Sequence, residues 1–488
     1  MPYWITRAIL PTLFAGIKLT GGQLYAQSGD DSPYSSYGFG DLIGPSQVSQ
    51  VLMGGVGVGI TDPFSTISVN PASYAALERP SFEVGGTGRF VTLSTAEQRV
   101  QRRNARFLGL TVGLPDHKKN WGLAFGVHPV SEVGYLIEDH ATLSDGTDVR
   151  FEYSGAGGLN RAFAGAGATI WQQRDSTATR RRLTAGANFS YLFGSIDHQR
   201  KAYYPNGVGF ANANFFSSLV LRAPSGNVGM QFTSELIPAK AMAERIKLRT
   251  ERRAVRIAHR NRALPDSLHR VDPRTPRQAE PWRWMIGLAW EAPTSFGATS
   301  SDLATSFVVI NNIEFQRDTI SSSSNVTGTV ELPAAYGIGA SVFDSRWTIA
   351  ADVRFREWRD LKIDVDGYQL PAGLATNITY ALGASFRPVG ERSGGGFLER
   401  SIWRAGVRYS QDYLVVQGNQ LHEMGVSAGV SLPVLGSISR SRLTLGADLG
   451  RRGDEQRGTI SERFIDLFVG ITITPDFRER WLEKRRIE

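Results

Sequence analysis

From Trp347 to Trp358 the chain alternates. Trp347, Ile349, Ala351, Val353 and Phe355 fall on one parity, and Thr348, Ala350, Asp352, Arg354 and Arg356 on the other. A β-strand points successive side chains to opposite faces, so this stretch has one apolar and one largely polar face. The pattern recurs. Trp403, Ala405, Val407 and Tyr409 oppose Arg404, Gly406, Arg408 and Ser410; Leu443, Leu445, Ala447 and Leu449 oppose Arg442, Thr444, Gly446 and Asp448. Ile465, Leu467, Val469, Ile471 and Ile473 oppose Asp466, Phe468, Gly470, Thr472 and Thr474. Strands of about 10 to 12 residues repeated in this way, with aromatics near their ends, predict an all-β chain, a transmembrane antiparallel β-barrel of about 14 strands.

With short turns as punctuation, the strands fall near 81–93, 104–115, 119–136, 147–171, 181–203, 208–236, 282–300, 332–343, 346–359, 376–388, 401–415, 420–433, 441–452 and 460–474. Segments 137–146, 301–331 and 360–375 read as long outer loops; 115–119, 172–180, 343–346 and 433–440 read as shorter turns. Barrels of this class keep short turns in the periplasm and long loops outside. With a periplasmic N-terminus, even-numbered strands end in the periplasm, and the short turns agree with that parity. Trp121, Trp347, Trp403 and Tyr413 are expected in interfacial girdles.

Composition sharpens this picture. Among 488 residues there are 53 Gly and no Cys, and mean hydropathy is −0.20. After the N-terminus no apolar run approaches the roughly 18 residues of a spanning helix. Residues 1–26 read as a signal peptide: Arg7, an apolar stretch from Ala8 to Ile17, and Leu24-Tyr25-Ala26 before the cut. The alternative is an amphipathic start of a soluble protein. The formal charge of +8 is localised. Residues 238–281 hold 12 Lys or Arg against 5 Asp or Glu, the first 26 residues add +2, and the rest is near −1. A roughly neutral barrel with one basic insertion does not suggest nucleic-acid binding.

The insertion 238–281 follows the sixth strand and so is expected in the periplasm. Ala239 to Ala263 reads as a surface helix presenting Arg245, Arg249, Arg252, Arg253 and Arg256 to an anionic partner, with a solvated loop as the alternative. The residues from Pro475 to Glu488 form a basic periplasmic tail.

Residues 27–80 are not strand-like. Gly55, Gly57 and Gly59 lack the Lys-Ser/Thr of a phosphate loop and the spacing of a dinucleotide turn; small residues there point to close backbone packing in a narrow space. The Gly-rich stretch, then Asp62-Pro63, then Asn70-Pro71-Ala72, then fourteen strands resembles the outer-membrane long-chain fatty-acid transporter family. The resemblance is closer to its Bacteroidota branch. There Ser-Pro-Tyr-Ser-x-Tyr-Gly-x-Gly-Asp-Leu opens the mature protein, as Ser32 to Leu42 do here. A Trp-x-x-Lys-Arg-x-Ile-Asp/Glu tail closes it, matched by Trp481 and Lys484 to Glu488. The resemblance implies an N-terminal hatch (27–80) in the lumen of a barrel (81–474), with Asn70, Pro71 and Ala72 in the hatch. It also implies a kink in the third strand that opens the wall. Pro129 fits that kink, because it cannot donate a ladder hydrogen bond; the alternative places it at the strand's outer end. The insertion departs from the family pattern, as does the absence of a terminal strand aromatic, and no ligand-contacting residues carry over.

No enzyme site, cofactor or metal site emerges. The seven His residues show no metal spacing, and His422-Glu423 lacks the second His of a zincin. Asp352, Asp412, Asp448 and Asp466 face the predicted lumen, as an ion-pair network with neighbouring Arg or as an acid–base pair. Two functions remain. One is an outer-membrane channel for small hydrophobic, fatty-acid-like compounds, working by hatch movement and lateral exit. The other is an accessory or scaffold barrel of a secretion or barrel-assembly complex, with outer-membrane lipid and a periplasmic or outer-membrane protein as partners. An apolar pocket continuous with a wall gap favours the first; a lumen filled by ion pairs favours the second.

Overall fold

A computed structural model describes residues 32–116, 120–144, 146–175, 178–205, 210–236, 282–311, 313–366, 373–389, 396–434 and 440–475. Fourteen strands form the wall: β1 (Ser81–Ser94), β2 (Arg99–Pro115), β3 (Trp121–Pro129 and Ser131–Thr142), β4 (Asp148–Asp175), β5 (Ala178–Tyr203), β6 (Asn212–Glu235) and β7 (Arg283–Glu291 and Thr294–Ile310). They continue with β8 (Ile313–Leu332 and Ala335–Phe343), β9 (Trp347–Glu357), β10 (Thr376–Phe386), β11 (Ile402–Val416), β12 (Asn419–Pro433), β13 (Arg442–Arg452) and β14 (Ser461–Ile473). Every neighbour pairs antiparallel, and β14 returns to β1 from Phe82↔Ile473 to Ser94↔Ser461, so the barrel is closed. Closure removes the edges that an open sheet would leave unsatisfied in lipid.

All fourteen strands fall where the alternation places them, but the sequence reading shortened those that project past the apolar belt. The stretch 301–331, expected as a loop, is a hairpin of β7 and β8 paired from Thr294↔Leu332 to Ile310↔Ile313. Its Ser/Thr-rich β8 arm is solvent-exposed on both faces as far as Asn325. With water on both sides there is no apolar parity to read. β2 likewise begins at Arg99 rather than near 104, within the polar run Arg99–Arg103.

Outward positions at mid-strand are apolar and exposed, among them Phe125, Leu288, Ile349, Leu382, Val407, Val426, Leu467 and Val469. Aromatics bracket them. Trp121, Trp403 and the Trp347–Phe386 pair (4.3 Å) lie near the short-turn end; the Tyr336–Phe355 pair (5.0 Å) lies toward the other. Eight residues separate Trp347 from Phe355, about 27 Å along a strand and about 20 Å along the normal of a tilted barrel, close to the apolar band of this class. Tyr413 is not in a girdle. It is buried in the lumen, where its hydroxyl donates to the Gly40 carbonyl at 2.6 Å. It sits past a register shift in β11, after Gln411, which defeats a parity count.

Residues 32–80 run through the lumen as a thread. Near the outer end, Tyr34 donates to the Ile460 carbonyl between β13 and β14 (2.7 Å). At the short-turn end, Phe64 lies under Arg440, just before β13. The chain therefore reaches β1 from the outer end, through the barrel. The alternation yields one sharp prediction. Leu382→Arg, on the lipid face at mid-strand, should destabilise the folded barrel by about 2–4 kcal/mol in bilayers. Denaturant titration in liposomes measures this, and a smaller loss than that of an outer-hairpin control such as Ile320→Arg would contradict the assigned faces.

Candidate functional site: the luminal thread, its cavity and a gap in the wall

The thread follows from its small residues. A short helix, Val48–Val51, ends where Gly54 and Gly55 adopt φ of +70° and +90°, a region that favours glycine. A Cβ on Gly54 would meet the Val407 carbonyl oxygen at 2.6 Å. The wall answers with glycines of its own. Gly383 and Gly406 leave no room for a Cβ against Met53, nor does Gly287 against Val58, Gly186 against Pro71 or Gly229 against Asn70. Backbone thus lies on backbone.

Wall side chains serve the thread's exposed amides. The Asp352 carboxylate of β9 accepts from the N–H groups of Gly57 (2.5 Å), Val58 (2.6 Å) and Gly59 (3.3 Å). The glycine spacing that could suggest a phosphate cradle therefore binds a carboxylate of the protein itself. Gln231 Nε2 donates to the Val58 and Ile60 carbonyls, both at 3.0 Å, and Ser341 Oγ donates to Gly59 at 2.6 Å. Asn70 is fully buried. Its Oδ1 accepts from the Ala72 N–H (3.2 Å), capping a 3-10 turn over Pro71–Ala76, and its Nδ2 donates to the Val58 carbonyl (2.8 Å) and to the Leu288 carbonyl of β7 (3.3 Å). Pro71 stands first in that turn, where its missing N–H costs nothing. Asn-Pro-Ala is thus a capped turn lying on the wall glycines.

Toward the outer end, Arg452 of β13 fastens the thread. It meets Asp41 and Asp412 at 2.5 Å each while only 4 % exposed. Burial pushes the Asp41 carboxyl up, but the charge of Arg452, with Arg106 and Arg89, outweighs it and holds the group below the ordinary carboxylate range. Arg408 pairs with Glu423 (2.8 Å) and Asp448 (2.9 Å), and Arg161 and Arg356 share Glu291 (2.6 and 2.9 Å). Arg89 lies 3.8 Å from Asp466. The four lumen aspartates of the sequence therefore hold arginines or backbone amides. These groups surround a cavity of about 390 Å³, lined by seven arginines and six carboxylates as well as apolar side chains.

The wall opens beside this cavity. β2 and β3 pair only from Leu110↔Val127 to Pro115↔Gly122, ending just short of Pro129. Beyond Val130, among the described residues, Ser131–Thr142 pairs with β4 and with two thread residues, Asp41↔Glu132 and Leu42↔Ser131. The Arg106–Glu132 ion pair (2.5 Å) crosses the gap.

A family model described as BamG matches residues 8–263 and 280–488. The chain belongs to the BamG family. No curated protein matches it. Among solved structures it is similar to the CymD monoaromatic hydrocarbon channel, at 13% identity over 90% of this chain and 99% of that one, TM-score 0.47. It is also similar to the Ralstonia pickettii toluene transporter TbuX (12%, 89% and 98%, 0.49) and the P. putida toluene transporter TodX (14%, 89% and 100%, 0.49).

In this BamG-family chain, Asn70, Pro71 and Ala72 lie against β4 to β7, while Pro129 lies at the gap, so the structure does not bring the two together at one point. Arg245, Arg249, Arg252, Arg253 and Arg256 lie outside the described residues, as do the signal segment and the tail beyond Pro475. Sequence reading missed Arg452 as the thread's fastening. Its signal was an arginine at a lumen parity of β13, next to an identical neighbour, Arg451. Asp352→Ala should strand three buried N–H groups and weaken thread seating by about 3 kcal/mol or more, whereas Asp352→Asn should lose about half that. Protease cleavage between Gly54 and Ser65 in the detergent-solubilised barrel reads it out, and equal resistance in wild type and Asp352→Ala would refute the nest.

Proposed function

We propose that this chain is an outer-membrane accessory barrel, a closed subunit of an envelope protein complex rather than an open pore. The carrying observation is the lumen. A thread seated on the glycines and polar groups of the wall occupies it, and the remaining cavity is ringed by charged groups, most of them ion-paired. A hydrophobic solute entering that cavity would displace water from charged groups and offer them no hydrogen bond in return. A scaffold needs no such passage, only a rigid wall and lipid contact, which the apolar outer band supports.

A second reading, passage of small hydrophobic compounds by movement of the thread as a hatch and lateral exit, is favoured by one observation. The cavity borders Pro129, Val130, Leu42 and Arg106, beside the unpaired stretch of wall. One pair of measurements separates the readings. In proteoliposomes the wild type should admit a hydrophobic fluorescent probe no faster than a barrel-free control, while tagged protein from native membranes should elute in a complex of fixed stoichiometry. Probe uptake that falls on Pro129→Ala or on deletion of Asn70 to Ala72, with the barrel still folded and the purified protein monomeric, would replace the accessory reading by the channel.

A further inference from the structure

Near the outer end the thread is held by a cluster in which buried carboxylates outnumber guanidinium groups. Arg452 of β13 meets Asp41 of the thread and Asp412 of β11, and Glu462 of β14, its register partner, lies 3.9 Å away. Glu462 is 0 % exposed, and its Oε1 accepts from the Ser32 hydroxyl of the thread at 2.5 Å. The Arg452 guanidinium also lies 5.1 Å from the centre of the Tyr34 ring. Arg89 of β1 and Arg106 of β2 face the cluster too, but each has a carboxylate of its own, Asp466 and Glu132. Glu423 of β12 is paired with Arg408. Three buried carboxylates therefore share one guanidinium. Asp41 Oδ2 and Glu462 Oε2 are buried and accept no hydrogen bond among the described residues. Keeping a proton on one such group is cheaper than burying a further like charge beside the first. On the outer face at this level stand Arg451 and Arg463, both exposed, so the cluster lies above the apolar belt.

We propose that this cluster is a proton-held latch: a proton on the Glu462–Asp41 pair keeps residues 32–42 seated, and its loss frees the outer part of the thread and uncovers the gap between β2 and β3. Such a latch serves a scaffold or a channel alike. The coupling to the gap is geometric, because the latched stretch is also the one that patches the wall. Asp41 and Leu42 pair with Glu132 and Ser131, the Ile43 N–H donates to the Val130 carbonyl (2.9 Å), and Ser35 Oγ accepts from the Gly134 N–H (3.1 Å). Burial, with the charge of Asp41 added, pushes Glu462 up to about 7 against the pull of Arg452 and Arg89. Burial, with the charges of Asp41 and Glu423, also raises Asp412 against Arg452. A carboxyl raised in the seated state binds its proton more tightly there than after release. The contribution of Glu462 to seating is therefore complete below the ordinary glutamate value of 4.5 and is lost as pH rises to about 7. Asp41, held low, works in the opposite sense, but its contribution is already full above the ordinary aspartate value of 3.8.

The test is hydrogen–deuterium exchange on the full-length protein in nanodiscs from about pH 5 to about pH 8, read by mass spectrometry and corrected for the pH dependence of intrinsic exchange. Opening of residues 34–43 should rise about tenfold per pH unit up to about pH 7 and then level off. Residues 56–60, held by the Asp352 nest, should keep constant protection. Glu462→Gln leaves a neutral group in place, so it should match wild type at about pH 5 and lose most of the rise. Ser32→Ala removes a hydrogen bond that favours the charged carboxylate, so the plateau should begin at higher pH. Asp318→Asn, on the exposed outer hairpin, should behave as wild type. Opening that stays flat with pH in wild type would overturn the latch. So would a rise undiminished in Glu462→Gln, or one shared equally by residues 56–60, which would report loosening of the whole lumen. Should Glu462→Gln not fold, Ser32→Ala decides, and a plateau that does not move overturns the proposal.

Discussion

An irregular chain inside a barrel must satisfy a backbone donor and acceptor at nearly every residue, in a space where water is scarce. Here that requirement is met by bringing two backbones together. Wall glycines remove the side chains that would hold thread and wall apart, and a few polar side chains, Asp352, Gln231 and Ser341 among them, reach the amides the ladder cannot serve. The dependence runs both ways. Without the thread, the inner faces of β10 and β11 at Gly383 and Gly406 would present bare backbone to an open groove, and Asp352 would lose its three backbone donors. Thread and wall are therefore one folding problem, and most other features of the lumen follow from it.

Charge is arranged around that packing. In mid-lumen each arginine that meets a carboxylate is ion-paired across strands, so Arg452 ties β11, β13 and the thread, while Arg408 ties β11, β12 and β13. Such buried pairs add little net stability against apolar replacements, yet breaking one partner is expensive, so they fix geometry more than they deepen the free-energy minimum. At the short-turn end, Arg404 donates to the Ser431 hydroxyl and Arg442 to the Arg400 and Ser431 carbonyls.

The barrel was legible because lipid imposes an apolar parity on each strand, and parity survives without any knowledge of neighbours. It failed wherever the imposing solvent changed. The hairpin of β7 and β8 stands in water on both faces, and β11 shifts register beyond Gln411, so 301–331 read as loop and Tyr413 as girdle. The glycine spacing from Gly55 to Gly59 showed that backbone would be approached closely, but not that Asp352, some 295 residues away in sequence, would approach it. Pairings of that kind depend on where the thread lies in three dimensions, and local pattern carries none of it. The same holds for Arg452. Its lumen parity was readable, but the choice of Asp41 over nearer carboxylates was not.

The gap between β2 and β3 and the short-turn ends of β10, β11 and β13 lie apart on the wall, yet the thread touches both. Asp41 and Leu42 pair with Glu132 and Ser131, respectively, at the gap, and the Asp62–Ser65 turn lies beside Arg404 and Arg442 at the short-turn ends. Between them lie the Val48–Val51 helix and the Asp352 nest. A displacement of the Asp62–Ser65 turn must either be absorbed before the nest or break three charge-assisted bonds to pass it, and beyond the nest Arg452 still holds Asp41 beside the two ladder pairs at the gap. The nest therefore divides the thread into an outer part that mends the wall and an inner part that faces the short-turn mouth.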